Sequence, residues 1–121
     1  MSLRIHLITI IILLLLSCSG RDSSDLPSSF KSYSEAESSI NSTSFEFEDD
    51  FSSPESSWIS SASFSSIDGK TGYLNIRTKR GDSYIHQNVP TAIWDGFKIA
   101  PSKGRYYNTN LRDQYQLEIN E

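Results

Sequence analysis

Cysteine occurs once in these 121 residues, at Cys18, and histidine twice, at His6 and His86. A single thiol closes no disulfide within the chain and builds no zinc or iron–sulfur site from cysteine ligands. A long apolar run is also missing. The longest, Leu7 to Leu16, is apolar except for Thr9, about half of the ~20 residues a membrane-crossing helix needs. The sequence contains no G-x-S-x-G, no H-E-x-x-H and no phosphate-cradling Walker loop. These gaps exclude most recognisable catalytic and metal chemistry. The chain is expected to be no enzyme and to carry no cofactor and no metal.

What is present begins at the N-terminus. Arg4 precedes the apolar run, and the run ends in Leu15-Leu16-Ser17-Cys18. This resembles the signal peptide and lipobox of bacterial lipoproteins, with an aliphatic residue three positions before the cysteine and a small one directly before it. The resemblance implies that 1–17 is removed and that Cys18 is lipidated. Two or more acyl chains anchor a protein stably, where one binds only marginally. It also implies a place in the bacterial cell envelope. Ser19 stands where an Asp would favour inner-membrane retention, so the expected location is the outer membrane, facing the periplasm. His6 would leave with the signal, so His86 is the one histidine expected in the mature chain.

Serine and acid dominate the next stretch. Ser19 to Ser57 holds nine acids and two bases. Residues 18–55 are therefore expected to form a disordered tether, too poor in apolar surface to order itself. Tyr33 to Ile40 could supply a turn or two of helix. Ser44 to Glu48 alternates and suits an edge strand, although loose docking of Phe45, Phe47 and Phe51 is the expectation. Glu48, Asp49 and Asp50 read as a solvated acidic run, not a cation site.

Residues 56–117 read as a folded α+β domain. Trp58 to Phe64, Tyr73 to Thr78 and Ser83 to Val89 are three strands of an antiparallel meander, punctuated by Asp68-Gly69 and Arg80-Gly81-Asp82. Pro90 suits the start of a helix, Ile93, Phe97 and Ala100 recur at helical spacing, and Pro101 stops it. Ser102 is the expected N-cap of a second short helix. The expected core is Trp58, Ile59, Leu74, Ile76, Tyr84, Val89, Ile93, Phe97, Tyr107 and Leu111.

This region resembles the KTSC domain, a family named for its occurrence at the C-terminus of some lysyl-tRNA synthetases. The resemblance is carried by Val89-Pro90, by Gly96 to Asn108 (GFKIAPSKGRYYN), and by Leu111-Arg112 and Tyr115. Asp68, Leu74, Ile76, Gly81 and Tyr84 match as well. One departure stands out: the Y-x-Y of the family is Tyr84-Ile85-His86 here. His86 is then expected to be a packed or half-exposed substitute for the missing aromatic. The family implies no known activity, and RNA binding has only been suggested for it.

Charge points to a surface. Trp58 to Tyr115 carries eight bases and four acids. Lys103, Arg105 and Arg112 gather around the second helix beside Tyr106, and the seven-residue spacing of Arg105 and Arg112 would place both on one helical face. These four residues are the expected anion- or partner-binding site. Their partner is expected to be an anionic envelope component or an envelope protein, with the membrane reached through the lipid anchor. Nucleic-acid (RNA) binding is the alternative, and a small hydrolase a more distant one. The acidic stretch Glu46 to Asp50 is the competing occupant of that basic face.

Overall fold

The computed structural model of this chain describes Arg21, Asp22 and residues 26–120. The signal segment and Cys18 lie outside the described residues. Among the described residues no helix is long and apolar enough to cross a membrane.

The described elements are β1 (Arg21–Asp22), α1 (Tyr33–Asn41), β2 (Thr43–Ser44), β3 (Phe47–Ser52), β4 (Ile59–Ser66), β5 (Thr71–Thr78), β6 (Ser83–Pro90), α2 (Thr91–Ile99) and α3 (Lys103–Asn110). The fold is α+β. Its sheet has four antiparallel strands in the order β3-β4-β5-β6, and β1 and β2 form a separate parallel pair.

The expected meander of three strands is therefore short by one. Phe47–Ser52 pairs with β4 over six residues, from Phe47 opposite Ser66 to Ser52 opposite Ser61. The sequence FEDDFS hides this because its acids point to both faces and all its residues but Phe51 are exposed. Acidic side chains are also what keeps an open sheet edge from pairing with another chain. Phe51 accounts for the docking. Its ring stacks on Trp94 at 5.3 Å and meets Phe97 edge-on at 5.0 Å.

Two bulges set which residues face inward. In β4 the register shifts between Ile59 and Ser61, which lets Ile59 and Ala62, three apart, both be buried. In β6, Gln87 and Asn88 oppose only Tyr73, and Asn88 takes a left-handed backbone with φ 59°. Asn tolerates that region better than most residues. The extra residue turns Val89 to the same face as His86, and both are buried.

The core lies between this face and the two C-terminal helices. It consists of Ile59, Ala62, Phe64, Leu74, Ile76, Val89, Trp94, Phe97 and Leu111. Of the expected core, Trp58, Ile93 and Tyr107 are only partly buried against it. Tyr84 is not core at all, at 44% exposed. Phe64 and Trp94 take its place.

The stretch expected to be a disordered tether carries four elements, β1, α1, β2 and β3. Ser32 caps α1 by accepting from the Glu35 N–H at 3.1 Å, and Glu35 reaches back to the Lys31 N–H, a capping arrangement that fixes a helix start. The helix lies beside the second sheet face, where Ile40 and Thr43 border a cavity of about 130 Å³ with Ser63, Ser65 and Asn75. Phe30 and Ala36 are buried there, and Phe30 and Phe45 both meet Tyr73 edge-on. The Tyr33 hydroxyl accepts from the Ile85 N–H and donates to the Ser83 carbonyl. It thus covers part of the open edge of β6. The C-terminal segment covers more, through Gln87 N–H to Tyr115 O at 2.8 Å.

Candidate functional site

The connection between α2 and α3 contains most of the residues expected to bind, so its construction decides which of them are free. Ala100 ends α2, its N–H donating to Phe97 O. Ser102 opens α3 and accepts from the Arg105 N–H at 3.3 Å. Between them the Lys103 ammonium donates to three carbonyls, Phe97 at 2.9 Å, Lys98 at 2.7 Å and Ala100 at 2.9 Å. A cation on the unpaired carbonyls at a helix C-terminus satisfies those acceptors and complements the dipole. The same ammonium stands 5.0 Å from the Phe51 ring. Burial lowers its pKa. Lys103 is a structural cap.

Gly104 leaves room for Trp58. A Cβ at this position would lie 2.6 Å from the indole nitrogen. Tyr106 turns inward instead of joining a basic face. Its ring stacks on Phe97 at 5.5 Å and its hydroxyl donates to Ile93 O at 2.9 Å. Desolvation raises its pKa. Tyr107 meets Trp58 and His86 edge-on, at 5.3 and 5.4 Å.

The expected quartet is thus divided. Lys103 and Tyr106 hold the helices together. Arg105 and Arg112 are exposed. Among the described residues neither guanidinium has a hydrogen bond or ion pair with another described residue. The two arginines do not share a helical face, because α3 ends at Asn110 with Leu111 as its cap, which leaves Arg112 beyond the helix. They border two separate clefts of about 730 Å³ each. Arg105 lies in one, with Glu55, Ser56 and Ser57. Arg112 lies in the other, with Tyr84, Tyr107 and Gln116. Trp58 and Asn108 line both clefts and form the ridge between them. The sequence reading missed Tyr84, Trp58 and Asn108 as surface groups. Large aromatics are assigned to a core by default, and nothing in the chain marks where the helices stop covering the sheet.

The acidic stretch meets α2 rather than the free arginines. Asp49 pairs with Lys98 at 2.8 Å and accepts from the Trp94 indole N–H at 3.0 Å. The Lys98 contact, then the Trp94 bond, holds its carboxyl below the usual range. The ion pair itself is half-exposed and contributes little.

His86 is buried. Its Nδ1 lies 3.4 Å from Leu74 O and its Nε2 3.2 Å from the Tyr107 hydroxyl. Desolvation lowers its pKa from 6.5, partly opposed by the backbone contact to Leu74. The unfolded chain therefore binds the proton more readily, so stability is full above about pH 6.5 and falls as pH drops below it toward the folded value. Asp49 and Asp68, whose carboxyls are also held low, act only below their ordinary value of 3.8. Urea midpoints between pH 7.5 and 5 should decline for the native chain and stay flat for His86→Phe. Equal slopes would remove His86 from this account. Among the described residues no group of three His, Cys, Asp or Glu could hold a metal.

Comparison with known proteins agrees with this architecture. No curated protein matches the chain. Among solved structures it is similar to a KTSC domain protein from Yersinia pestis, with a TM-score of 0.50 and 21% identity, covering 62% of this chain and 100% of that one. That likeness speaks for the fold. The sequence profile of the KTSC domain matches residues 55–115, half of the chain. Within that range Ser102 and Lys103 cap the helices, Phe97 fills the core, and Gly96 and Gly104 make room for Tyr106 and Trp58. On these grounds the chain belongs to the KTSC domain family.

Proposed function

We propose that this protein is a lipid-anchored, non-catalytic binding module of the bacterial cell envelope. Cys18 carries the anchor, and the exposed surface around Arg105, Asn108 and Arg112 meets an anionic partner. One observation supports the binding reading above others. Lys103, Gly104, Tyr106 and Tyr107 are spent on the fold, while Arg105, Asn108 and Arg112 from the same segment have no such employment. Arginine recognises carboxylate and phosphate through its planar fork. His86 lines the Arg112 cleft, but both its ring nitrogens already have partners within the domain, which supports the non-catalytic part.

Fractionation tests the anchor. Cys18→Ala should block processing, so that the chain keeps residues 1–17 and carries no acyl mass. A native chain found soluble and unmodified would end this part. Co-sedimentation tests the surface. The chain from Ser19 onward should bind vesicles rich in anionic phospholipid at low salt. Arg105→Ala with Arg112→Ala should weaken binding about tenfold, given that exposed charges act weakly one at a time. Undiminished binding by the double variant would discard the surface.

A further inference from the structure

Tyr84 sits on the sheet face whose other members are packed. Its neighbours across β5 and along β6, Ile76 and His86, are 0% and 6% exposed, yet Tyr84 is 44% exposed. The reason is its position. It stands at the end of β6 opposite to Pro90, where α2 departs, and α3 stops at Asn110. The helices leave this corner of the sheet open. The opening is the cleft of about 730 Å³ that Arg112 borders, within the range of ordinary small-ligand sites.

Its lining has a distinctive chemistry. Tyr84, Tyr107 and Trp58 provide aromatic surface, and Asn108, Gln116 and Arg112 provide amide and guanidinium groups at the rim. The rings are not arranged as a parallel platform. Trp58 and Tyr107 are inclined at 73°, so they form walls. Beside the rim, Asp113 and Tyr115 both adopt left-handed backbone, at φ 61° and 54°. Tyr115 is kept there by the hydrogen bond its carbonyl accepts from Gln87. Strained backbone of this kind collects at ligand sites.

We infer that this cleft binds the sugar rings of an acidic glycan. A pyranose has an apolar C–H face that rests on an aromatic ring and an equatorial belt of hydroxyls that suits paired amide and guanidinium groups. Carboxylate or phosphate substituents on the same polymer would meet Arg112 and, across the Trp58–Asn108 ridge, Arg105. This inference rests on the binding-module reading above and gives its ligand a chemical class. Nucleic acid fits less well. Arg112 is the one cation among the described residues lining the cleft, with Asp113 the one acid. A phosphodiester strand calls for a groove of several cations and stacking platforms.

Tryptophan fluorescence tests this directly. Trp94 is buried at 2% exposure and Trp58 is half-buried, so a ligand-dependent change reports Trp58. The chain from Ser19 onward is titrated with sonicated soluble peptidoglycan strands and, separately, with deacylated lipopolysaccharide. Saturable quenching by either supports the inference, and the better ligand identifies the source. Tyr84→Ala should weaken that binding about tenfold, while Tyr84→Phe, which keeps the ring, should not. Undiminished glycan binding by Tyr84→Ala overturns the inference. So does a chain that binds anionic vesicles but neither glycan, and in that case the binding-module reading survives. Failure with vesicles and glycans alike overturns both. A short single-stranded RNA that binds more tightly than either glycan replaces the inference with nucleic-acid recognition.

Discussion

Trp94→Ala should cost most of the stability of this protein. Trp94 is 2% exposed. Its indole lies between Phe51 and Phe64, at 5.3 and 5.5 Å with interplanar angles of 24° and 11°, and meets Phe97 edge-on at 6.3 Å. Removing a buried aromatic of this size costs about 3–5 kcal/mol, because the cavity cannot collapse around rings that still hold each other in place. The change also removes the donor from Asp49. Small domains have total stabilities of about 0.05–0.15 kcal/mol per residue, so a loss of this size is comparable with the whole. Circular dichroism melts should lose their cooperative transition or shift down by tens of degrees. Trp94→Phe keeps a ring but not the indole N–H, and should fall between. A Trp94→Ala variant that melts within about 2 °C of the native chain would mean that the stack contributes nothing.

The family segment was legible because its side chains are committed locally. Ser102 as an N-cap, Pro101 as a stop and Leu111 as a core residue follow from propensity and spacing, and each is in its expected place. The three strands before it were legible for the same reason, since Leu74 and Ile76 alternate with polar residues. Phe47–Ser52 was legible only at its start, where Ser44 to Glu48 alternates and suits an edge strand. Its pairing depends on Trp94 and Phe97, more than 40 residues away, and no local period records that. α1 was half-visible, because its one fully buried residue, Ala36, is too small to mark an apolar stripe. For the site the limit was side-chain direction. Lys103, Arg105, Tyr106 and Arg112 are neighbours in sequence, yet two turn inward as cap and core and two outward into different clefts. Charge counting cannot separate a lysine that caps three carbonyls from an arginine that has no partner among the described residues.

A chain starting at Ser56, close to where the KTSC profile begins, should be far less stable than one starting at Phe45. The comparison isolates β3, since both fragments lack α1 and Phe30. Without β3, Phe51 leaves Trp94 and Phe97, and burying a phenylalanine side chain is worth about 1.5–3 kcal/mol before any ring–ring term. Trp94 loses its acceptor Asp49, and the six paired positions of β4 become an open edge. That edge carries Ala62 and Phe64 with few charges to discourage pairing, so the shorter fragment should also associate. Urea unfolding of the Phe45 fragment should be cooperative, and that of the Ser56 fragment broad or absent, with light scattering showing oligomers. In the full chain, limited proteolysis should spare 47–115 and cut first before Phe45. Equal unfolding midpoints for the two fragments would show that β3 is a passenger on the sheet. In that case the aromatic contacts of Phe51 would contribute no net stability, and the acidic strand would be left with edge protection alone.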